Sequence, residues 1–190
     1  MGQTTIQNAG SIMLGSAKIS IGASAGTATT DIGLARNVNL TENLTKYTCQ
    51  SDNGPDPING VSRHTVNVSF ELLELWPPNW ITMYGSNFVT STTGSGTYVV
   101  GTANVMSTGG GNELSNIAIK LTNNTLQSGA TVQTIVVVYS ATIEDGLNLA
   151  FQSDNSDDPV LAMPFTFVGE LDTGRSVKDQ LFIIESELGA

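Results

Sequence analysis

The stretch from His64 to Leu72, HTVNVSFEL, alternates without a break, and it limits the fold more than any other feature of the chain. His64, Val66, Val68, Phe70 and Leu72 share one face of an extended backbone, and Thr65, Asn67, Ser69 and Glu71 share the other. Strand side chains point to opposite faces with a period of two, so this segment buries one side and keeps the other polar.

Similar texture recurs along the chain. Ile12, Leu14, Ala17, Ile19 and Ile21 suggest a strand with an irregularity at Gly15, and Ile32 to Leu40 alternates around a less regular centre at Arg36 and Asn37. Tyr47 and Cys49 are expected to end a short strand. The segment after it holds Pro55 and Pro57, which exclude a ladder there and make a projecting loop. Pro77 and Pro78 stop the long strand and open a short helix. Trp80, Met83 and Tyr84 fall at i, i+3 and i+4 on it, as a set that packs against a sheet, and Gly85 ends it.

The tract from 90 to 112 reads as a loose Thr/Gly/Ser excursion with one small strand at TYVV, and 122–130 reads as a turn region. Further strands are expected at 113–121, 132–143, 161–170 and through QLFIIES. There is no βαβ rhythm and only one credible helix. The fold class is therefore mainly β: a sandwich or partly rolled barrel with one short packing helix. Residues 1–10 are expected to form a flexible N-terminal arm and 11–190 a single domain.

Charge narrows the partners. Seven Lys plus Arg stand against seventeen Asp plus Glu, a formal net charge of -10, and no basic stripe is available to neutralise phosphates. Tight nucleic-acid binding is thereby disfavoured, whereas an acidic wall suits a duct through which DNA passes without sticking. No secretory signal pattern begins the chain and no apolar run is long enough to span a bilayer, so membrane insertion is not expected.

The motifs tested for chemistry lead to no enzyme, cofactor or metal. Gly22 to Gly26 matches the nucleophile-elbow spacing, but a Thr-rich segment follows it where a helix is required, and His64 is the single histidine. A Cys49–His64 thiol pair lacks an activating environment. Asp52, Asp56, Asp154, Asp157 and Asp158 do not follow the twelve-residue calcium pattern, and one His with one Cys cannot make a conventional zinc site. Glu71 and Glu74 sit at odd spacing, which places them on opposite faces of a strand, unsuited to a glycosidase pair.

Three stretches, TTDIGLARNVNLTE, VNVSFELLELWPPNWITMYG and VLAMPFTFVGELDTGRSVKDQLFIIE, resemble in order and flavour the major tail tube proteins of long-tailed, siphovirus-like bacteriophages. The resemblance runs over most of residues 10 to 188. It implies a structural virion protein, made in the host bacterial cytoplasm, that forms hexameric rings stacked into the hollow tail. Such a tube encloses the tape-measure protein, conducts genomic DNA during ejection, and meets tail terminator and distal tail proteins at its ends. On this resemblance Thr65, Asn67, Ser69 and Glu71 would face the lumen. The loop carrying Asp52, Asn53, Pro55, Asp56, Pro57 and Asn59 would take the place of the ring-stacking tip, and Trp80 and Tyr84 would anchor the helix.

With so few cations, some should pair across subunits and set register, and Arg36, Arg63 and Arg175 are the preferred interface charges. Two alternatives stand beside this reading: a tail terminator or completion ring, and a non-viral carbohydrate-binding β-sandwich using Trp76 and Trp80.

Overall fold

The computed structural model describes residues 17–49, 58–74, 76–85, 89–95, 98, 101–109, 111, 113–127, 130–149 and 162–186. The expected arm of residues 1–10, the loop residues Asp52, Asn53, Pro55, Asp56 and Pro57, and the acidic cluster at 154–158 lie outside them.

The described chain runs β1 (Lys18–Gly22), β2 (Thr30–Asp31), β3 (Ala35–Cys49), β4 (Ile58–Leu72), α1 (Pro77–Tyr84), β5 (Val89–Ser95), β6 (Thr102–Thr108), β7 (Ile117–Gln127), β8 (Ala130–Ile143), β9 (Met163–Gly169) and β10 (Phe182–Ser186). One eight-stranded antiparallel sheet has the order β2-β1-β7-β8-β9-β4-β3, with β10 also on β8; β5 and β6 form a separate ribbon. The fold is mainly β with one short helix, as the alternation predicts.

Strand β8 organises this sheet. Its one edge takes β7. Its other edge takes β9 at Ala141–Ile143 and β10 at Thr134–Val138, so the sheet forks below β9. One branch is β9-β4-β3 and the other is β10. Inner residues of β1, β4, β7, β8 and β9 enter one cluster with α1, and the sheet wraps that cluster.

The 64–72 alternation appears in burial as it does in sequence. Val66, Val68, Phe70 and Leu72 are fully buried, while Thr65, Asn67, Ser69 and Glu71 are half-buried on the opposite face. Strand β9 alternates the same way, and Phe70 stacks on Phe167 with ring centroids 5.8 Å apart. The irregular centre at Arg36 and Asn37 is a bulge: the β3–β4 register shifts between Arg36 and Asn39, and Asn37 adopts φ 54°. Asparagine tolerates that left-handed conformation better than most residues.

Helix α1 is built as its sequence suggests. Prolines at its first two positions supply a fixed φ and lose no intrahelical donor, because N–H groups in the first turn have no partner anyway. Trp80, Met83 and Tyr84 are buried, with Trp80 stacked on Tyr84 and set edge-on to Phe165 at 5.6 Å. At the other end Gly85 takes φ 93° and its N–H donates to the Ile81 carbonyl at 2.7 Å. A Cβ there would run into the Ser115 hydroxyl, so glycine is required twice over.

Several expectations need correction. Strand β3 is a continuous fifteen-residue strand, not a short one. Asn59 belongs to the β4 ladder opposite Thr48, not to the loop. The 90–112 tract contains the β5–β6 hairpin, and Tyr98 lies at an exposed bend outside both strands. The β7–β8 ladder continues through 122–127 to Gln127 opposite Ala130. Apart from Val38, Leu40, Val89 and Met106, which reach the core, these are polar stretches that pair by backbone and leave little burial signature in the sequence.

Candidate assembly surface: the hairpin arm and the strap beside it

Beyond Leu40 the β3–β4 hairpin leaves the body. Every β3 side chain from Thr41 to Cys49 is exposed, and so are Val61, Ser62 and Arg63 across from them. At about 3.3 Å per residue this arm extends roughly 25–30 Å. Strand β4 pairs with β9 only from Val66 to Leu72, so the β9-side edge of 58–65 has no strand partner among the described residues, nor does the outer edge of β3.

Register assigns the faces of the arm. Glu42, Leu44 and His64 continue the core face; Asn43, Thr45, Arg63, Thr65 and Asn67 continue the polar face. A second bulge between Thr45 and Lys46 leaves Ser62 unpaired, and its hydroxyl donates to the Thr45 carbonyl at 3.1 Å. Nearer the tip Thr48 Oγ1 donates to Asn59 Oδ1 at 2.7 Å. The Tyr47 ring lies over Gly60, where a Cβ would stand 2.6 Å from it. Such an aromatic-over-glycine contact stiffens a ribbon that has no core beneath it. Leu44, Tyr47 and Val61 are nonetheless about half exposed.

On the polar face a cleft of about 240 Å³ is lined by Asn43, Thr45, Arg63, Thr65, Asn67 and Glu144. It offers hydroxyls, amides, one cation and one carboxylate. Toward the body Arg36 Nε donates to Glu71 Oε2 at 2.7 Å, and on the core face His64 Nε2 lies 2.6 Å from Glu42 Oε1. Exposed pairs of this sort contribute little to stability, so their use here is to fix the side chains. Of the three preferred interface charges, Arg36 and Arg175 have intrachain carboxylates. Arg63 has no ion-pair partner among the described residues.

Beside the arm, residues 170–181 form a strap held by dense hydrogen bonding. Tyr139 Oη donates to Asp179 Oδ1 at 2.5 Å, and Arg175 donates through Nη2 to Asp179 Oδ2 and through Nε to its carbonyl. The guanidinium also lies 3.7 Å from the centre of the Tyr139 ring. The DTGR turn closes as expected, with Gly174 N donating to Asp172 Oδ1 at 3.0 Å.

The Tyr139 hydroxyl and then Arg175 hold the Asp179 carboxyl below its ordinary range. A depressed carboxylate stabilises the fold above the unfolded-state value of about 3.9, and that contribution is lost as pH falls through the lower folded value. An NMR titration of Asp179 is therefore expected to show a midpoint below that of a free aspartate. Tyr139→Phe, which removes the largest cause, should move it back up; an unchanged midpoint would contradict the assignment.

The Cys49–His64 pair tested for thiol chemistry does not come together. Cys49 pairs with Ile58 at the outer end of the arm, while His64 lies opposite Leu44 on the other face, so the thiol and imidazole do not meet. Ser24 caps a 3-10 turn at Ala25–Thr27 and contacts Thr27. Among the described residues no group of three or more His, Cys, Asp or Glu side chains could hold a metal ion. Trp80, one of the two tryptophans considered for sugar binding, is buried, and Trp76 is about half exposed.

No protein-family model matches the chain, and no curated protein matches it. Among solved structures there is a distant likeness to the tube-terminating cap of the anti-feeding prophage. It has a TM-score of 0.48 and 8% identity, and covers 98% of this chain and 97% of that one.

Proposed function

We propose that this chain is a structural subunit of a phage-type tail, closing with copies of itself into hexameric rings that stack into a hollow tube. The observation that carries the reading is the arm. Fifteen-residue strands extend well past the core, and beyond the shallow clefts they share with Glu144 and with the strap their outer halves are exposed, presenting Leu44, Tyr47 and Val61. An isolated two-stranded ribbon is marginal in water, and long open edges invite pairing with other chains. Neighbouring copies in a closed ring would cover both.

In such a ring the face bearing Thr65, Asn67, Ser69 and Glu71 lines the bore. Hydroxyls, amides and the Glu71 carboxylate, which holds Arg36, leave Arg63 as the cation of that face without an ion-pair partner among the described residues, so in a chain of net charge -10 the face offers phosphates little positive charge. The tape-measure protein would occupy this bore before infection and genomic DNA would cross it afterwards. The tip from Asp52 to Pro57 would meet the next ring, and terminator and distal proteins would close the ends. The three sequence stretches that resemble tail tube proteins support the same reading.

Negative-stain microscopy of the concentrated, purified chain tests it. Hollow tubes with a regular axial repeat are expected. Single rings that never elongate would reassign the chain to a terminator or completion role, and monomers persisting at high concentration would overturn the proposal.

A further inference from the structure

One apolar side chain stands out for how it is held. Val177 is 87% exposed, yet it sits on a loop braced by several hydrogen bonds. It and Lys178 are the central residues of a turn closed by the Asp179 N–H donating to the Ser176 carbonyl at 2.8 Å. The turn is fixed from below: Asp179 holds Tyr139 and Arg175, and Gln180 Nε2 donates to the Arg175 carbonyl at 3.1 Å. A rigid loop presenting an aliphatic tip loses little conformational entropy when that tip is buried by a partner.

The same chain carries a concave, mainly apolar counterpart. A cleft of about 390 Å³ opens between α1, the β5–β6 ribbon and the segment after β8, lined by Trp80, Tyr84, Val89, Met106, Gly146 and Leu147. No strap residue lines it. The strap as a whole carries three carboxylates against two cations, and charge distinguishes the rim of the cleft from the tip of the turn alone. Glu144 and Asp145 are exposed beside Gly146, and Asp145 joins burial in holding the proton on the Tyr84 phenol. Next to Val177, by contrast, stands Lys178, one of only seven Lys and Arg in the chain.

We infer that the Val177–Lys178 turn of one copy docks in the Trp80–Met106–Leu147 cleft of a neighbouring copy, with Lys178 facing Asp145. The inference rests on the reading of the chain as a self-assembling subunit and names one contact within it. Knob and cleft are different surfaces, so the contact is heterologous: every copy offers one of each, and the association propagates until a ring closes or a filament grows. The valine is an anchor in a larger interface, since stable contacts bury on the order of 1,600 Å² while a few central residues carry most of the energy.

Sedimentation velocity on the full chain tests this with two surface variants. Val177→Asp spoils the knob and leaves the cleft. Gly146→Trp fills the cleft and leaves the knob, since a Cβ at Gly146 meets nothing within 4 Å. Each alone is expected to raise the concentration needed for assembly by about tenfold or more, with unchanged far-UV circular dichroism. Mixed one to one they restore one intact knob-and-cleft pairing for every two chains, so the mixture should assemble at a lower concentration than either variant alone. As a second measurement, Lys178→Glu and Asp145→Lys should each weaken assembly, and the double variant should recover it.

If both single variants assemble at the wild-type concentration, or the mixture behaves as either component alone, the contact is wrong. Wild-type tubes alongside fully competent variants would overturn this inference and leave the tube reading intact. Wild-type oligomers that are sensitive to Val177→Asp but never form rings or tubes would uphold the contact and overturn the tube.

Discussion

Trp80→Ala is expected to destabilise the fold by about 3–5 kcal/mol, the range for emptying a large aromatic site. Trp80 is 1% exposed and joins two layers, lying parallel to Tyr84 at 6.1 Å and edge-on to Phe165 at 5.6 Å. An eight-residue helix has no independent stability, because nucleating a turn costs more than so few hydrogen bonds return. Its presence therefore depends on this ring and on Met83. The indole also walls the apolar cleft, so solvent would reach the vacated space from that side. Urea denaturation should show the loss directly, with the melting temperature roughly 10 °C lower or more. Trp80→Phe should recover much of it. A loss under about 1 kcal/mol would mean the helix is held by something other than this contact.

The second large effect concerns assembly with little change in stability. Asn43 and Thr65 are direct partners in the β3–β4 ladder. Joining them through Asn-Gly, the preferred two-residue hairpin turn, removes the outer arm and keeps the register of everything nearer the core. Val66 to Leu72 keeps its pairing with β9, so the shortened chain should stay folded and melt within a few degrees of the full one. If the arm joins subunits, the variant should remain monomeric at concentrations where the full chain forms tubes. Tubes of normal diameter and repeat from the shortened chain would remove the arm from the interface.

What the sequence disclosed depended on burial. Strands β4 and β9, the α1 triad and its glycine stop all set large apolar side chains into the core, and their periods identify them. The bulge at Arg36 and Asn37 was legible because it interrupts such a pattern. The outer half of β3, TENLTKYTC, buries nothing within its own chain, so it has no period to read and looks like a short strand entering a loop. The β5–β6 ribbon buries little beyond Val89 and part of Met106, and so offers no strand period either. Residues of the apolar cleft come from α1, β5, β6 and the segment after β8. Only tertiary packing brings them together, and no local spacing could announce it. Val177 carried no signal either: in the sequence it is one valine among polar neighbours, and its meaning lies in the hydrogen bonds beneath it.

The order of the strands also bears on how the chain is made. The root of the arm, Val66 to Leu72, finds its second backbone partner far along the sequence in Gly169 to Met163, and β8 waits for β10 later still. Long-range pairing of this kind is slow and exposes edges meanwhile. A chain being synthesised therefore lacks the second partner of this root until β9 has been made.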